Sequence, residues 1–167
     1  GSLRVEVKEL AQKDVWQSNQ ISGSKTDTVN AGIITINGTN IDTSTMSYTK
    51  LTEEINKISG VQASLVDSSD GKFRLAIKST ETGTANKINF NTKDISGNDL
   101  GVSSGAAKLF GDGSALSDSL NVLKAQNMQL KADGVDYSSS SNTVTIDGLK
   151  ITATKESGDS TINIEND

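Results

Sequence analysis

Val61-Gln62-Ala63-Ser64-Leu65-Val66 and Phe73-Arg74-Leu75-Ala76-Ile77, with Asp70-Gly71 between them, decide the class of this chain. Apolar and polar residues alternate on either side of a dipeptide suited to positive φ, the pattern of two antiparallel strands and a tight turn. The same punctuation recurs three times. Asn37-Gly38 lies between Ile33–Ile36 and Thr39–Ile41, Asp133-Gly134 between Met128–Lys131 and Val135–Tyr137, and Asp147-Gly148 between Val144–Ile146 and Leu149–Thr152. Type I′ turns are expected at all four, and a mainly β (α+β) fold follows.

Leu3, Val5 and Val7 alternate with Arg4, Glu6 and Lys8; Leu149, Ile151 and Ala153 repeat the pattern, and Ile162 and Ile164 continue it. Such strands have one buried and one wet face. One segment departs from period two. Leu51, Ile55 and Ile58 recur at helical spacing, Ser47 or Thr49 can cap the start, and Gly60 suits the left-handed end. A short amphipathic helix at about 49–59 is expected, packed on the following sheet, with Glu53-Glu54 in its first turn and Lys57 in its last. A second helical stretch is expected from Ser117 to about Ala125, with Leu116, Leu120 and Leu123 on one face. Ser18–Asn30, Asp94–Ser104 and Ser138–Ser141 are polar and read as loops.

The last 40 or so residues are hairpins, too few to form a core alone at roughly 40–50 residues. The strand at 3–10 has no neighbour of its own. We therefore expect two small antiparallel β-rich domains. One is discontinuous, 3–24 plus 113–167, and the other is 25–112, inserted between those parts and carrying the helix. Two domains in tandem are the alternative.

Composition excludes several chemistries. The 167 residues include 33% hydrophobic and 4% aromatic residues, no His, Cys or Pro, and 16 basic against 21 acidic side chains, a net charge of −5. No disulfide, thiol nucleophile, Ser-His-Asp triad or structural zinc site is available. Nucleic acid asks for a clustered basic face that an acidic chain with scattered Lys and Arg lacks. No apolar run approaches the roughly 18–20 residues of a membrane span, and no signal-peptide pattern opens the chain. Gly1-Ser2 reads as a cloning remnant.

Candidate chemistry is sparse. Asp67-Ser68-Ser69-Asp70-Gly71 begins like a calcium loop, but Ile77 stands where the bidentate Glu belongs, so a turn is expected. Gly111-Asp112-Gly113-Ser114 lacks a phosphate-loop Lys and reads as a linker. Glu53 with Glu54, Glu6 with Glu9, and Asp133 with Asp136 fall on wet faces or turns, whereas a working acid needs burial. Trp16 is expected in packing rather than at a partner surface. No catalytic, cofactor-binding or metal residue is assigned, binding residues are unknown, and we expect a protein that is not an enzyme and needs no cofactor.

Three stretches in order resemble the flagellar hook-associated protein 2 family, the filament cap proteins. They are Val5–Gln12, Leu51–Gly83 (with Gly60–Val66, Arg74–Ser79 and Thr82-Gly83), and Ala125–Thr152 (with Ala125-Gln126-Asn127, Asp133-Gly134-Val135 and Gly148–Ile151). Met128 stands where the family has a small residue. The resemblance implies an excised head fragment of a structural protein, lacking the helical ends that anchor it. Such proteins form a ring at the distal tip of the bacterial flagellum, outside the cell, exported without a cleaved signal peptide. They keep flagellin from leaking away and promote its polymerisation. The implied partners are other copies of itself, only weakly engaged by this fragment, and flagellin. In some members a host surface or glycan is added, with no nucleic acid or membrane. A chain without Cys or Pro suits export unfolded, because neither wrong disulfides nor slow isomerisation delays refolding. A surface adhesin module and an outer domain of another flagellar axial protein are the alternatives.

Overall fold

The computed structural model describes residues 2–156 and the backbone of 159–163. The chain runs β1 (Ser2–Glu9), β2 (Val15–Gln17), β3 (Ile33–Ile36), β4 (Thr39–Asp42), α1 (Tyr48–Ile55), β5 (Val61–Asp67) and β6 (Phe73–Ser79). It continues through β7 (Asn91–Lys93), β8 (Asp99–Val102), α2 (Ser104–Leu109), β9 (Asn121–Leu123), β10 (Met128–Ala132), β11 (Val135–Ser139), β12 (Thr143–Ile146), β13 (Leu149–Thr152) and β14 (Asp159–Asn163). Strands dominate and all their pairings are antiparallel. The contribution expected of the Ile162 and Ile164 side chains lies outside the described residues, as does Gly1.

The chain forms two compact units. The first comprises 1–14, 81–87 and 124–167; the second comprises 15–80 and 88–123. The boundaries expected at 24/25 and 112/113 therefore fall inside the second unit. Ile21 and Val29, in the stretch expected as polar loop, are buried, and Leu116 and Leu120 pack on the second unit's core.

In the first unit the sheet order is β11-β10-β1-β14. β1 sits between β10, with Val5 opposite Ala132 and Val7 opposite Leu130, and β14. Leu3, Val5 and Val7 bury their alternate face against Met128, Leu130, Ile146 and Ile151. Met128 is wholly buried. Two segments quoted for the family resemblance meet here: Gln12 exchanges backbone hydrogen bonds with Gln126, and the Gln126 amide donates to the Leu10 carbonyl at 2.7 Å.

The second unit has sheet order β5-β6-β2-β9 and the hairpins β3–β4 and β7–β8. Leu51 and Ile55 of α1 are wholly buried with Leu75 and Ile77. Ser47 caps the helix, its hydroxyl accepting from the Lys50 N–H at 3.0 Å. Because α1 spans Tyr48–Ile55, Glu53 and Glu54 lie in its last turn rather than its first. Beyond it, Gly60 takes φ 87°. Trp16 is 5% exposed and meets Phe90 edge-on at 5.5 Å and Phe110 at 6.2 Å, while Phe90 and Phe110 stack at 5.1 Å. Trp16 is thus core, as expected.

Three of the four turns join directly paired residues: Ile36 with Thr39, Ala132 with Val135, and Ile146 with Leu149. Their Asn37, Asp133 and Asp147 have φ of 47°, 48° and 51°. The fourth is longer. Asp67 pairs with Phe73, the Ser68 N–H donates to the Lys72 carbonyl, and Asp70 and Gly71 take left-handed φ within that loop.

The helix expected from Ser117 to Ala125 is absent. A single 3-10 turn at Asp118–Leu120 leads into β9, whose backbone pairs with β2, so the tertiary ladder overrides the Leu spacing. A six-residue helix, α2, forms instead in Ser104–Leu109. Its Gly105 lies against the β3 backbone, where a Cβ would stand 2.8 Å from the Ile33 carbonyl oxygen. The stretch expected as loop at Asp94–Ser104 therefore contains β8 and the first residue of α2, and part of Ser138–Ser141 belongs to β11.

Candidate functional site

The acidic pairs singled out in the sequence lie on exposed or half-buried faces. Glu54 accepts from Lys57 at 2.9 Å and pairs with Lys50 at 3.1 Å, and these contacts, Lys57 first, lower its pKa. Glu53 lies 3.8 Å from Lys50. Asp133 accepts from the Arg4 N–H at 2.9 Å, and Asp136 stands 3.8 Å from Lys131. Glu9 is exposed at the end of β1 and Glu6 half-buried within it. Asp67 pairs with Lys25 at 2.8 Å. Asp14 is wholly buried and accepts from the Ala125 N–H at 3.3 Å. Among the described residues no group of three or more acidic side chains is arranged to hold a metal ion, and no helix is long and apolar enough to cross a membrane.

Gly111–Ser114 is a turn within the second unit rather than a linker. The Asp112 carboxylate accepts from the N–H groups of Ser114 at 2.8 Å and Ala115 at 2.9 Å, and these bonds, Ala115 first, lower its pKa.

Two exposed features of the second unit carry chemistry that the sequence reading missed. The first is the tip of the β7–β8 hairpin. Asp94 accepts from the backbones of Ser96 and Asn98, both at 2.9 Å, and from the Asn98 side-chain amide at 3.1 Å. Its N–H donates to the Asn98 carbonyl and its carbonyl accepts from Gly97, which takes φ 84°. The bonds from Asn98, backbone then side chain, lead in lowering the Asp94 pKa; those from the Asn91 amide and the Gly101 N–H do so for Asp99. Ile95 stands fully exposed on this pinned loop, and Leu100 is 63% exposed on the same hairpin. The spacing Asp94…Gly97-Asn98 signals such a turn by the rules of side-chain-bonded turns.

The second feature is a groove of about 440 Å³ over the outer face and edge of β5, lined by Val15, Asn56, Gln62, Ala63, Ser64, Ala76 and Lys78. Register explains its composition: Gln62 lies opposite Lys78, Ser64 opposite Ala76, and Val15 also opposite Lys78. Val66 and Leu123, 42% and 39% exposed, extend an apolar character across a face where period two predicts polar residues. At the rim the Asn56 amide bonds both ways with Ala63, accepting from its N–H at 2.7 Å and donating to its carbonyl at 3.0 Å. A side chain thereby stands in for a further strand at the sheet edge.

The fold that carries these surfaces is that of the D2–D3 domains of flagellar cap proteins. The FliD D2–D3 domains from Serratia marcescens align with TM-score 0.75 and 22% identity, covering 99% of this chain and 93% of that one. The corresponding Escherichia coli domains align at 0.75 with 24% identity, covering 100% and 89%. FliD from Pseudomonas aeruginosa aligns at 0.71 with 24% identity, covering 100% and 80%. In sequence, the chain is 30% identical over 99% of its length to flagellar hook-associated protein 2 of Campylobacter jejuni, of which it spans 31%. No family model matches the chain. The resemblance to the hook-associated protein 2 family, read above from three segments, thus extends along the whole chain.

Proposed function

We propose that this chain is the two-domain head of a flagellar filament cap subunit. Its role is structural. In the complete protein the heads take part in a ring of identical subunits at the distal tip of the flagellum, outside the cell. The ring keeps arriving flagellin from escaping and promotes its polymerisation into the growing filament. The observation that carries this reading is the correspondence of both units, over nearly the whole chain, to the head domains of cap proteins. Composition supports it: the chain has no His or Cys, and the carboxylates of Glu54, Asp94, Asp99 and Asp112 are engaged in surface pairs and turns.

The test is deletion of the encoding gene in its own organism. Flagellin in the growth medium and missing or stunted filaments are expected, with restoration by the intact gene. Long, intact filaments in the deletion strain would refute the proposal.

A further inference from the structure

We propose that the β7–β8 hairpin of one copy seats Ile95 in the groove on the outer face of β5, β6 and β2 of a second copy. The inference specifies the self-association invoked above; it rests on the cap reading for closure into a ring, and not for the contact itself.

A single exposed apolar residue is ordinary on a protein surface. Ile95 differs in how it is held. Asp94 fixes the loop through three accepted hydrogen bonds and two backbone bonds, so the side chain is presented from a rigid base and little ordering remains to be done on docking. Leu100 adds a second exposed apolar group to the hairpin.

The groove has room for this side chain and carries a cationic group. Val15 and Ala76 give it an apolar floor, and about 440 Å³ is ample for one branched side chain. Lys78 lines the groove, while the hairpin carries Asp94 and Asp99, their carboxyls held in the charged form by hydrogen bonds, against a single Lys93 opposite Asp99. Opposed charges beside a small apolar anchor favour one docking orientation over others. Hairpin and groove are different patches, so the contact is heterologous. Each docked copy leaves one hairpin and one groove free, and copies add head to tail until the rotation closes.

Since the chain has no Cys, single introduced thiols report the contact cleanly. The 167-residue chain is prepared as Ser96→Cys, exposed beside an intact Ile95, as Ser64→Cys in the groove lining, and as Ser114→Cys on an exposed turn as control. The variants are mixed pairwise at high concentration with a short bis-maleimide. The Ser96→Cys and Ser64→Cys pair is expected to cross-link about ten-fold faster than Ser96→Cys with Ser114→Cys, as burial of one Ile side chain implies. Adding Ile95→Ser to the Ser96→Cys partner is expected to remove that advantage, and adding Lys78→Glu to the Ser64→Cys partner to slow the reaction several-fold. Cross-linking at the control rate, a rate indifferent to Ile95→Ser or to Lys78→Glu, or a dominant Ser96→Cys homodimer would each overturn the proposal. The reaction needs no flagellum, so its failure removes this contact alone; the cap reading stands or falls on filament growth.

Discussion

Replacing Gly105 by Ala reverses a common rule. At an exposed position inside a helix, Gly→Ala stabilises by about 1 kcal/mol through backbone entropy. At Gly105 the new Cβ would stand 2.8 Å from the Ile33 oxygen and 2.9 Å from the Ile33 carbon and the Ile34 nitrogen. These are backbone atoms and cannot rotate away. β3 has little freedom to yield, because Ile34 is wholly buried opposite Ile41 and the Thr35 N–H is held by the Ser103 hydroxyl at 3.0 Å. Overpacking of this kind costs about 1–3 kcal/mol. Set against the propensity gain, the net loss is about 1–2 kcal/mol at the upper part of that range. Urea unfolding read from Trp16, the single tryptophan and part of the same core, measures it directly. With a slope of about 2 kcal/mol per molar urea, the midpoint is expected to fall by roughly 0.5–1 M. A midpoint that rises would show that α2 does not approach β3 as closely as described, and would refute the reasoning.

Asn56→Ala removes both bonds to the edge at Ala63; unfolding measurements should show a loss of about 1–2 kcal/mol, and light scattering a greater tendency of the bared edge to self-associate. Ile55→Ala, at a wholly buried position, is expected to cost about 2–5 kcal/mol in the same urea assay. The pH profile has a definite sign. Asp94, Asp99 and Asp112 have pKa values lowered by hydrogen bonds in the folded state. Their contribution is present above the unfolded value near about 4 and lost as pH falls through the lower folded values. With no His in the chain, thermal melts should be level from about pH 5.5 to 7.5 and decline only in acid; a step near neutrality would contradict this.

What could be read from the residues was whatever local rules decide. Asn37-Gly38, Asp133-Gly134 and Asp147-Gly148 demand positive φ at adjacent residues, and the chain reverses there in two residues. Ser47, Leu51, Ile55 and Gly60 mark a helix by cap, face and stop, all of them short-range signals. What escaped was decided at long range. Leu116, Leu120 and Leu123 keep helical spacing, yet β2 offers the 121–123 backbone a ladder. α2 has only six residues, two of them Ala and one Gly, so no periodicity announces it; its signal is the fit of Gly105 against β3. The site features escaped for a related reason. An Ile among Asp, Ser, Gly and Asn reads as loop until the bonds to Asp94 show how firmly it is presented.

A hydrophobic fraction of 33% leans towards disorder by composition, and the second unit shows how such a chain can still fold. Buried hydroxyls supplement a thin apolar core by satisfying backbone groups where loops cross it. Ser18 accepts from the Leu75 N–H at 2.8 Å and donates to the Asn19 carbonyl at 2.8 Å. Thr43 accepts from the Ala31 N–H at 2.9 Å and donates to the Gly32 carbonyl at 2.6 Å. Each hydroxyl serves as donor and acceptor at once, so neither the side chain nor the backbone it meets is left unpaired. Polar residues therefore work on both sides of the surface, and the large apolar side chains are mostly spent inside. Against that economy, placing Ile95 in full exposure on a loop held by Asp94 is a use of scarce apolar area that the second unit's own core does not require. A second copy presenting Val15, Ala76 and Lys78 supplies a reason for it, because the contact then buries on assembly what folding leaves in water.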